Sequence, residues 1–255
     1  MKIKTKLSNK NNYGGIRQLS AIKYIVIHYT GNDGDSDEGN ANYFQGIRKA
    51  SAHYFVDDDS ITQTVPDNYV AWSVGGKKYA DCDTTGGGKW YGKCTNNNSI
   101  SIELCDSVKN GVYDFTENTL KQAAELTKEL MRKYNIPIEN VIRHFDVTGK
   151  ICPLPYVRNV GQWDQFKSRL APTQDTDLFE AVRKIILSGI EIDINSWKRL
   201  DLINLNNVPS LLIKLGGLEK LIGNKVIGDK EKWRTGRYNA NDVRSLILKY
   251  ANTLK

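Results

Sequence analysis

The sequence lacks any long apolar run. A membrane-spanning helix needs about 20 consecutive apolar residues, and the 255-residue chain contains no such stretch. Residues 1–15, MKIKTKLSNKNNYGG, begin with basic residues but are not followed by the apolar segment of a secretory signal peptide. We therefore expect no membrane insertion, and synthesis in the cytoplasm without a signal peptide.

Cysteine and histidine are also scarce. Four cysteines are too few for the disulfide framework of a small secreted domain, so we expect free thiols. The cysteines are Cys82, Cys94, Cys105 and Cys152. Only three histidines, His28, His53 and His144, are present to act as bases or metal ligands.

The chain has an excess of positive charge. Its formal net charge of +7 favours an anionic partner. Nucleic acid, a lipid surface and an anionic cell-wall polymer all satisfy that condition, and charge alone does not choose among them.

Short β-branched and aromatic runs predict the strands of a sheet. Residues 23–29, KYIVIHY, are apolar on both faces and predict an internal strand that ends near His28. Residues 52–56 and 61–65 flank the turn DDDS and predict a hairpin. Residues 99–105, SISIELC, predict a further strand.

Glu103 stands out in that last strand. Alternation along a strand places the isoleucines and the leucine on one face, and Glu103 with Cys105 on the other. A glutamate in a buried strand is costly unless it has a partner or a function. The residue pattern leaves two interpretations open, an acid/base group and a partner that orients a histidine.

Three helices are predicted in the same region. Apolar residues at helical spacing follow Thr116 up to Tyr134 and indicate an amphipathic helix that faces the core. Shorter helices are predicted at 41–49 and 163–170.

Residues 66–98 are rich in glycine and asparagine and predict a long irregular segment. Its aromatic residues suit a shallow groove for a sugar or a peptide, and they equally suit residues that pin the loop to the core. These residues are Trp72, Tyr79, Trp90 and Tyr91.

A linker and a repeat follow the first region. Residues 171–175, APTQD, read as a linker, and no histidine or cysteine occurs after them. Within the remainder, a tryptophan followed by a Ser-Leu segment occurs twice, which indicates a duplicated, mostly helical module. The matching pieces are Trp197 with 207–215 and Trp233 with 242–250, and an aspartate precedes each tryptophan by four positions, Asp193 and Asp229.

The stretch Arg143–Pro153, RHFDVTGKICP, concentrates reactive side chains. His144, Lys150 and Cys152 lie within nine positions, after a short apolar run that predicts a strand opening into a loop. Histidine and cysteine are common zinc ligands. The stretch therefore predicts half of a metal site.

Four segments together resemble a known family. YIVIHYTGN, SAHYFVDD, NSISIELCD and RHFDVTGKICP occur in the order and spacing of the zinc-dependent N-acetylmuramoyl-L-alanine amidases. These type-2 amidases share the peptidoglycan-recognition-protein fold and occur in phage endolysins and bacterial autolysins. The resemblance covers about residues 20–170.

The resemblance implies a fold and a domain arrangement. We expect an α/β domain at 1–171, with a mixed central β-sheet flanked by helices. A second, smaller and mostly helical domain at 172–255 would be a cell-wall-binding module.

The resemblance also implies residue roles. His28, His144 and Cys152 would bind one Zn²⁺ per catalytic domain, while Glu103 and Lys150 would be catalytic. His53, Tyr54 and Trp72 are predicted substrate contacts. In one departure from the pattern, Ser73 stands where many relatives have histidine, which puts in doubt any substrate contact made there.

These features predict a peptidoglycan hydrolase of the endolysin type. It would act at the bacterial cell wall after holin-type release, on peptidoglycan and associated anionic wall polymers. One rival hypothesis is a non-catalytic peptidoglycan-binding protein on the same fold. Another is a nucleic-acid-binding C-terminal module, which is disfavoured because the positive charge of residues 172–255 is neither dense nor confined to one helix face. These residues carry 14 Lys+Arg against 10 Asp+Glu, a net charge of +4, so recognition of a wall polymer would need specific contacts as well.

Overall fold

A computed structural model describes residues 3–171 and 175–254 of the chain. The chain divides into two compact units, residues 1–171 and 172–255. Residues 172–174 of the predicted linker lie outside the described residues. No helix in the described ranges combines the length and the hydrophobicity that crossing a bilayer requires.

A mixed six-stranded sheet forms the centre of the N-terminal unit. Its strand order is β1-β5-β4-β7-β3-β10; β4 and β5 form the predicted antiparallel hairpin, and the other neighbours are parallel. The strands of the unit are β1 Ile3–Thr5, β2 Tyr13–Ile16, β3 Tyr24–Tyr29, β4 Tyr54–Val56, β5 Ile61–Gln63, β6 Tyr69–Ala71, β7 Ser99–Leu104, β8 Ser107–Lys109, β9 Val112–Asp114 and β10 Val141–Arg143. The predicted fold class, a mixed sheet with flanking helices, is confirmed.

Strand direction brings the reactive residues to one edge of the sheet. β3 and β7 are parallel and in a register that places His28 opposite Glu103. β10 is parallel to β3 on its other side, with Arg143 opposite Ile27, so His144 leaves the sheet beside the end of β3. Because parallel strands have their carboxyl ends at the same edge, three remote segments converge there.

The opposite face of β7 supplies the core. Ile100, Ile102 and Leu104 are fully buried against the long helix that follows Thr116. The Thr116 side chain accepts a hydrogen bond from the Thr119 N–H and fixes the start of that helix, as predicted. The helices of this unit are α1 Asp37–Tyr43, α2 Cys82–Thr85, α3 Glu117–Tyr134, α4 His144–Thr148, α5 Leu154–Arg158 and α6 Val160–Leu170.

Two local predictions differ from the structure. The helix expected at 41–49 begins at Asp37 and ends at Tyr43, because the Ser36 hydroxyl caps it by accepting from the Gly39 N–H. The loop expected after β10 is instead the short helix α4.

The C-terminal unit is helical and has an apolar core. Its helices are α7 Thr176–Leu187, α8 Ile194–Trp197, α9 Val208–Lys214, α10 Leu218–Gly223, α11 Lys230–Arg234 and α12 Ala240–Thr253. Asp193 caps α8 and Asp229 caps α11, and the tryptophan of each short helix is buried.

The backbone of this unit repeats as well. The Ile190 N–H donates to Ile185 O, and 36 positions later the Val226 N–H donates to Leu221 O. Between each pair stands a residue with positive φ, Gly189 at +90° in the first copy and Lys225 at +60° in the second. The first copy therefore begins at the end of α7 and the second at the end of α10. Both starting points precede Asp193 and Asp229, where the repeat begins in the sequence pattern.

Candidate active site and metal-binding group

A cavity of about 390 Å³ opens at the sheet edge where β3, β7 and α4 converge. Six of the predicted site residues line it, namely His28, Trp72, Glu103, His144, Lys150 and Cys152. Ser73, which follows Trp72 in the chain, lines it as well.

Three of these residues form a group that can hold a metal ion. His28, His144 and Cys152 are buried, and one ligand atom from each lies within 4.8 Å of the others. The His28 Nδ1 is 3.7 Å from the Cys152 Sγ. The Phe145 N–H donates to Cys152 O, which ties the cysteine back to α4 and keeps it close to His144.

The donor set and its environment fit a soft divalent cation. Among the described residues, His28 Nε2 and His144 Nδ1 are buried without a hydrogen-bond partner. Burial lowers the pKa of His144 to about 4, and the pKa of His28 falls well below its usual value for the same reason, so both rings are neutral. Burial raises the pKa of the Cys152 thiol to about 12, so its thiolate needs a cation beside it.

A second cluster of acidic residues is satisfied internally. Asp37, Asp57 and Asp59 have oxygens within 4.8 Å of one another. However, Asp37 Oδ2 accepts from the Ser60 and Thr62 hydroxyls, and Asp57 accepts from backbone N–H groups. This cluster shapes the turn between β4 and β5.

Glu103 lies beside the metal-binding group. Its Oε1 is 3.9 Å from His28 Nδ1, and its side chain is 20% exposed towards the cavity. Its Oε2 has no hydrogen-bond partner in the described part of the chain. Burial raises the pKa of Glu103 to about 8, against the opposing field of Lys150. The carboxyl group is therefore poised to hold or release a proton near neutral pH.

Lys150 is placed by α4 and by residues 79–90, a segment that no local sequence pattern connects to it. The last carbonyls of a short helix need donors from elsewhere. Phe145 O accepts from the Gly88 N–H, Asp146 O from the Trp90 N–H and Thr148 O from the Tyr79 N–H. Residues 79–90 thus cap α4 from outside, immediately before Gly149 and Lys150.

The run Gly86-Gly87-Gly88 is the sequence feature that could have indicated this contact. A Cβ on Gly87 would lie 2.8 Å from the Cα of Gly149, so only glycine permits this approach. Trp90 packs against Tyr24 and pins the segment down, whereas Trp72 lines the cavity. Trp90 therefore fits the interpretation of a residue that pins the loop to the core, and for Trp72 the interpretation of a substrate groove stays a prediction.

The structure brings Trp72 to the cavity but not His53 or Tyr54. His53 is fully buried, its Nδ1 accepts from the Ser101 N–H, and its Nε2 lies 2.9 Å from Nη2 of Arg17. The Tyr54 hydroxyl donates to Asp67 Oδ1. His53 immediately precedes the internal strand β4, and Tyr54 is its first residue. Both side chains therefore form hydrogen bonds with buried partners and do not reach the cavity.

A buried His–His–Cys group beside a carboxyl and an ammonium group is an arrangement typical of metal-dependent hydrolases. The chain belongs to the N-acetylmuramoyl-L-alanine amidase family, whose family model matches residues 18–155. This finding confirms the resemblance seen in the four sequence segments.

Individual relatives agree with the family. A probable N-acetylmuramoyl-L-alanine amidase of Bacillus licheniformis is 34% identical over 158 residues, which cover 60% of this chain and 42% of that protein. The amidase BlyA of Bacillus subtilis (strain 168) is 32% identical over 169 residues, covering 64% and 44%. The chain thus spans less than half the length of these two curated relatives.

Solved structures share the fold of the N-terminal unit. The catalytic domain of XlyA is 29% identical with a TM-score of 0.51, and the match covers 67% of this chain and 100% of that domain. PlyL is 30% identical with a TM-score of 0.52, covering 67% and 97%.

Proposed function

We propose that this chain is a zinc-dependent N-acetylmuramoyl-L-alanine amidase, a peptidoglycan hydrolase of the endolysin type. It would cleave the amide between the lactyl group of N-acetylmuramic acid and L-alanine. The observation that carries the proposal is the convergence of His28, His144 and Cys152 beside Glu103 and Lys150 in one cavity of a chain in this family.

His28, His144 and Cys152 would hold one Zn²⁺ ion. Zinc bound there supplies Lewis-acid polarisation of the scissile carbonyl and lowers the pKa of a water molecule to about 7.

The remaining steps belong to side chains of this chain. Glu103 takes a proton from the attacking water and returns it to the nitrogen of the departing L-alanine. The Lys150 ammonium group stabilises the negative charge that develops on the carbonyl oxygen. The face of Trp72 offers an apolar surface for the sugar ring.

End-group analysis tests this proposal. The zinc-loaded protein is incubated with purified Gram-positive peptidoglycan, and new amino termini are identified. We expect new N-terminal alanine and no new reducing sugar ends. Zinc-loaded protein that binds the wall but releases no alanine would instead support a non-catalytic peptidoglycan-binding protein.

We further propose that the C-terminal unit attaches the enzyme to the cell wall. Its lack of histidine and cysteine and its apolar core support a binding role rather than a catalytic one, and its net charge of +4 suits anionic wall polymers. Made in the cytoplasm, the protein would reach the wall after holin-type release.

Co-sedimentation with purified walls tests the attachment. The full chain should be retained more strongly than a chain that ends at residue 171. Equal retention of the two would remove the unit from wall binding. Tight DNA binding with a steep salt dependence would support the nucleic-acid alternative.

A further inference from the structure

Two serine hydroxyls meet at the wall of the cavity. Ser73 follows Trp72 and lines the cavity, and its Oγ is within hydrogen-bonding distance of Ser101 Oγ. Ser101 is fully buried on β7, two residues before Glu103 and on the same face of the strand.

Counting donors and acceptors fixes the direction of this hydrogen bond. Among the described residues, Ser73 Oγ is the one hydrogen-bonding partner of Ser101 Oγ. A buried hydroxyl proton without an acceptor is costly. The Ser101 hydroxyl therefore donates to Ser73 Oγ, and the Ser73 proton is left to point towards the cavity.

The backbone holds this donor in place. The Ser73 N–H and the Val74 N–H both donate to Asn96 Oδ1, which fixes the turn that presents Ser73. Ser101 is held by the His53 ring, which accepts from its N–H. The Ser73 hydroxyl accepts a hydrogen bond from Ser101. This bond polarises the Ser73 O–H group and makes it a stronger donor towards the cavity.

We infer that the Ser73 hydroxyl is a substrate-binding donor for an uncharged carbonyl oxygen next to the scissile amide. The inference rests on the proposed function and assigns a role to a residue that departs from the pattern of many relatives. Ser101, the partner of Ser73, stands two strand residues before Glu103, so the Cα atoms of Ser101 and Glu103 are about 7 Å apart. The acceptor is therefore not the scissile carbonyl itself but a carbonyl of the adjoining N-acetyl group or stem peptide.

Steady-state kinetics of three variants test the inference. Ser73→Ala should raise KM about 3- to 10-fold with kcat unchanged, because a neutral hydrogen bond to bound substrate is lost. Ser101→Ala should raise KM by a smaller factor, and the double variant should be no worse than Ser73→Ala alone. Ser73→Thr retains a hydroxyl and should restore KM.

Ser99→Ala is the matched control. Ser99 is buried on the same strand and donates to Thr95 O, but it does not line the cavity. Its replacement should lower the melting temperature without changing KM. If Ser73→Ala and Ser101→Ala behave in the same way as this control, the hydroxyl pair is structural and the inference is wrong.

A pair of soluble substrates identifies the acceptor. An N-acetylmuramoyl peptide and its N-deacetylated counterpart are compared for the parent and for Ser73→Ala. An effect confined to the acetylated substrate assigns the bond to the acetyl carbonyl, and an equal effect on both assigns it to the peptide. Absence of amide cleavage by the parent contradicts the proposed function, whereas an active parent with an unchanged KM in Ser73→Ala contradicts this inference alone.

Discussion

The two units of this chain have cores of different chemistry. Within residues 3–171 and 175–254, every buried polar or charged side chain belongs to the N-terminal unit, including all three histidines. Each buried side chain of the C-terminal unit is apolar. Burying a polar group costs free energy unless it is hydrogen-bonded or serves a function.

Unpartnered atoms show the same contrast. In the described part of the chain, all buried side-chain oxygens and nitrogens without a hydrogen-bond partner lie in the N-terminal unit. Three of them, on His28, Glu103 and His144, line the cavity. The N-terminal unit thus carries destabilising groups where a metal ion and a substrate would satisfy them, whereas the described interior of the C-terminal unit contains no such groups.

The largest effect should follow from removing one of the three proposed zinc ligands in the N-terminal unit. We expect Cys152→Ala to lose bound zinc and amidase activity together, because two histidines remain where three ligands are needed. Cys94→Ala, which removes a buried thiol outside the metal-binding group, should keep both. Metal analysis of the purified proteins and alanine release from peptidoglycan are the measurements.

The same variants distinguish the units by hydrogen exchange. Loss of the metal should reduce protection in peptides from residues 3–171 and leave peptides from residues 175–254 unchanged. Equal loss of protection in both ranges would contradict this expectation. A zinc-loaded, active Cys152→Ala variant would remove Cys152 from the site.

Glu103→Gln separates chemistry from metal binding. The amide keeps the size of the side chain but does not accept and return a proton, so kcat should fall by about 10²- to 10⁴-fold. Zinc content should remain that of the parent because Glu103 is outside the metal-binding group. Full turnover in this variant would exclude Glu103 from proton transfer.

The buried His53 should make the stability of the N-terminal unit depend on pH. Burial, aided by the neighbouring Arg17, lowers the pKa of His53 from 6.5 to about 3. Protonation at Nδ1 would also break the hydrogen bond from the Ser101 N–H. The unfolded chain therefore binds the proton more readily, and stability that is present above pH 6.5 is lost as the pH falls towards 3.

For one histidine, the free energy of unfolding should fall by about 1.4 kcal/mol for each pH unit, or by roughly 2 kcal/mol between pH 6.5 and 5. Chemical denaturation of the parent and of His53→Gln at several pH values isolates it, since the variant should lack this part of the slope. Parallel slopes would show that His53 does not titrate on unfolding. The C-terminal unit has no histidine and should show no such dependence.

Periodicity and family motifs predicted most of the sheet and the convergence of the site. The strands that end near His28 and Glu103 follow from short apolar runs, and the long helix after Thr116 follows from its spacing and its cap. The zinc and catalytic roles of these residues stay predictions.

Contacts between remote segments were not predictable in the same way. The helix α4 has five residues and depends on donors more than fifty positions earlier, at 79–90, so its own sequence carries little signal. The substrate contacts predicted for His53 and Tyr54 rest on the family resemblance of the segment SAHYFVDD, which contains both residues. Their partners Arg17 and Asp67 come from loops that no local pattern connects to them.

The smallest predicted effect compares the two copies of the C-terminal repeat. Gly189 has φ +90° in the first copy, and Lys225 occupies the equivalent position at φ +60° in the second. A side chain in the left-handed region is strained, so Lys225→Gly should stabilise this unit by about 0.5–1 kcal/mol. Gly189→Ala should destabilise it by about 1–2 kcal/mol through the backbone alone, because a Cβ there meets no atom within 4 Å.

Gly228→Ala is the control, since Gly228 has equally open space but no positive φ. Calorimetry of the full chain should show opposite shifts of the transition of the C-terminal unit for Lys225→Gly and Gly189→Ala, with no decrease for Gly228→Ala. Shifts of the same sign in the first two would mean that the copies do not share this backbone turn. The duplication would then extend only over the tryptophan and Ser-Leu segments that the sequence already shows.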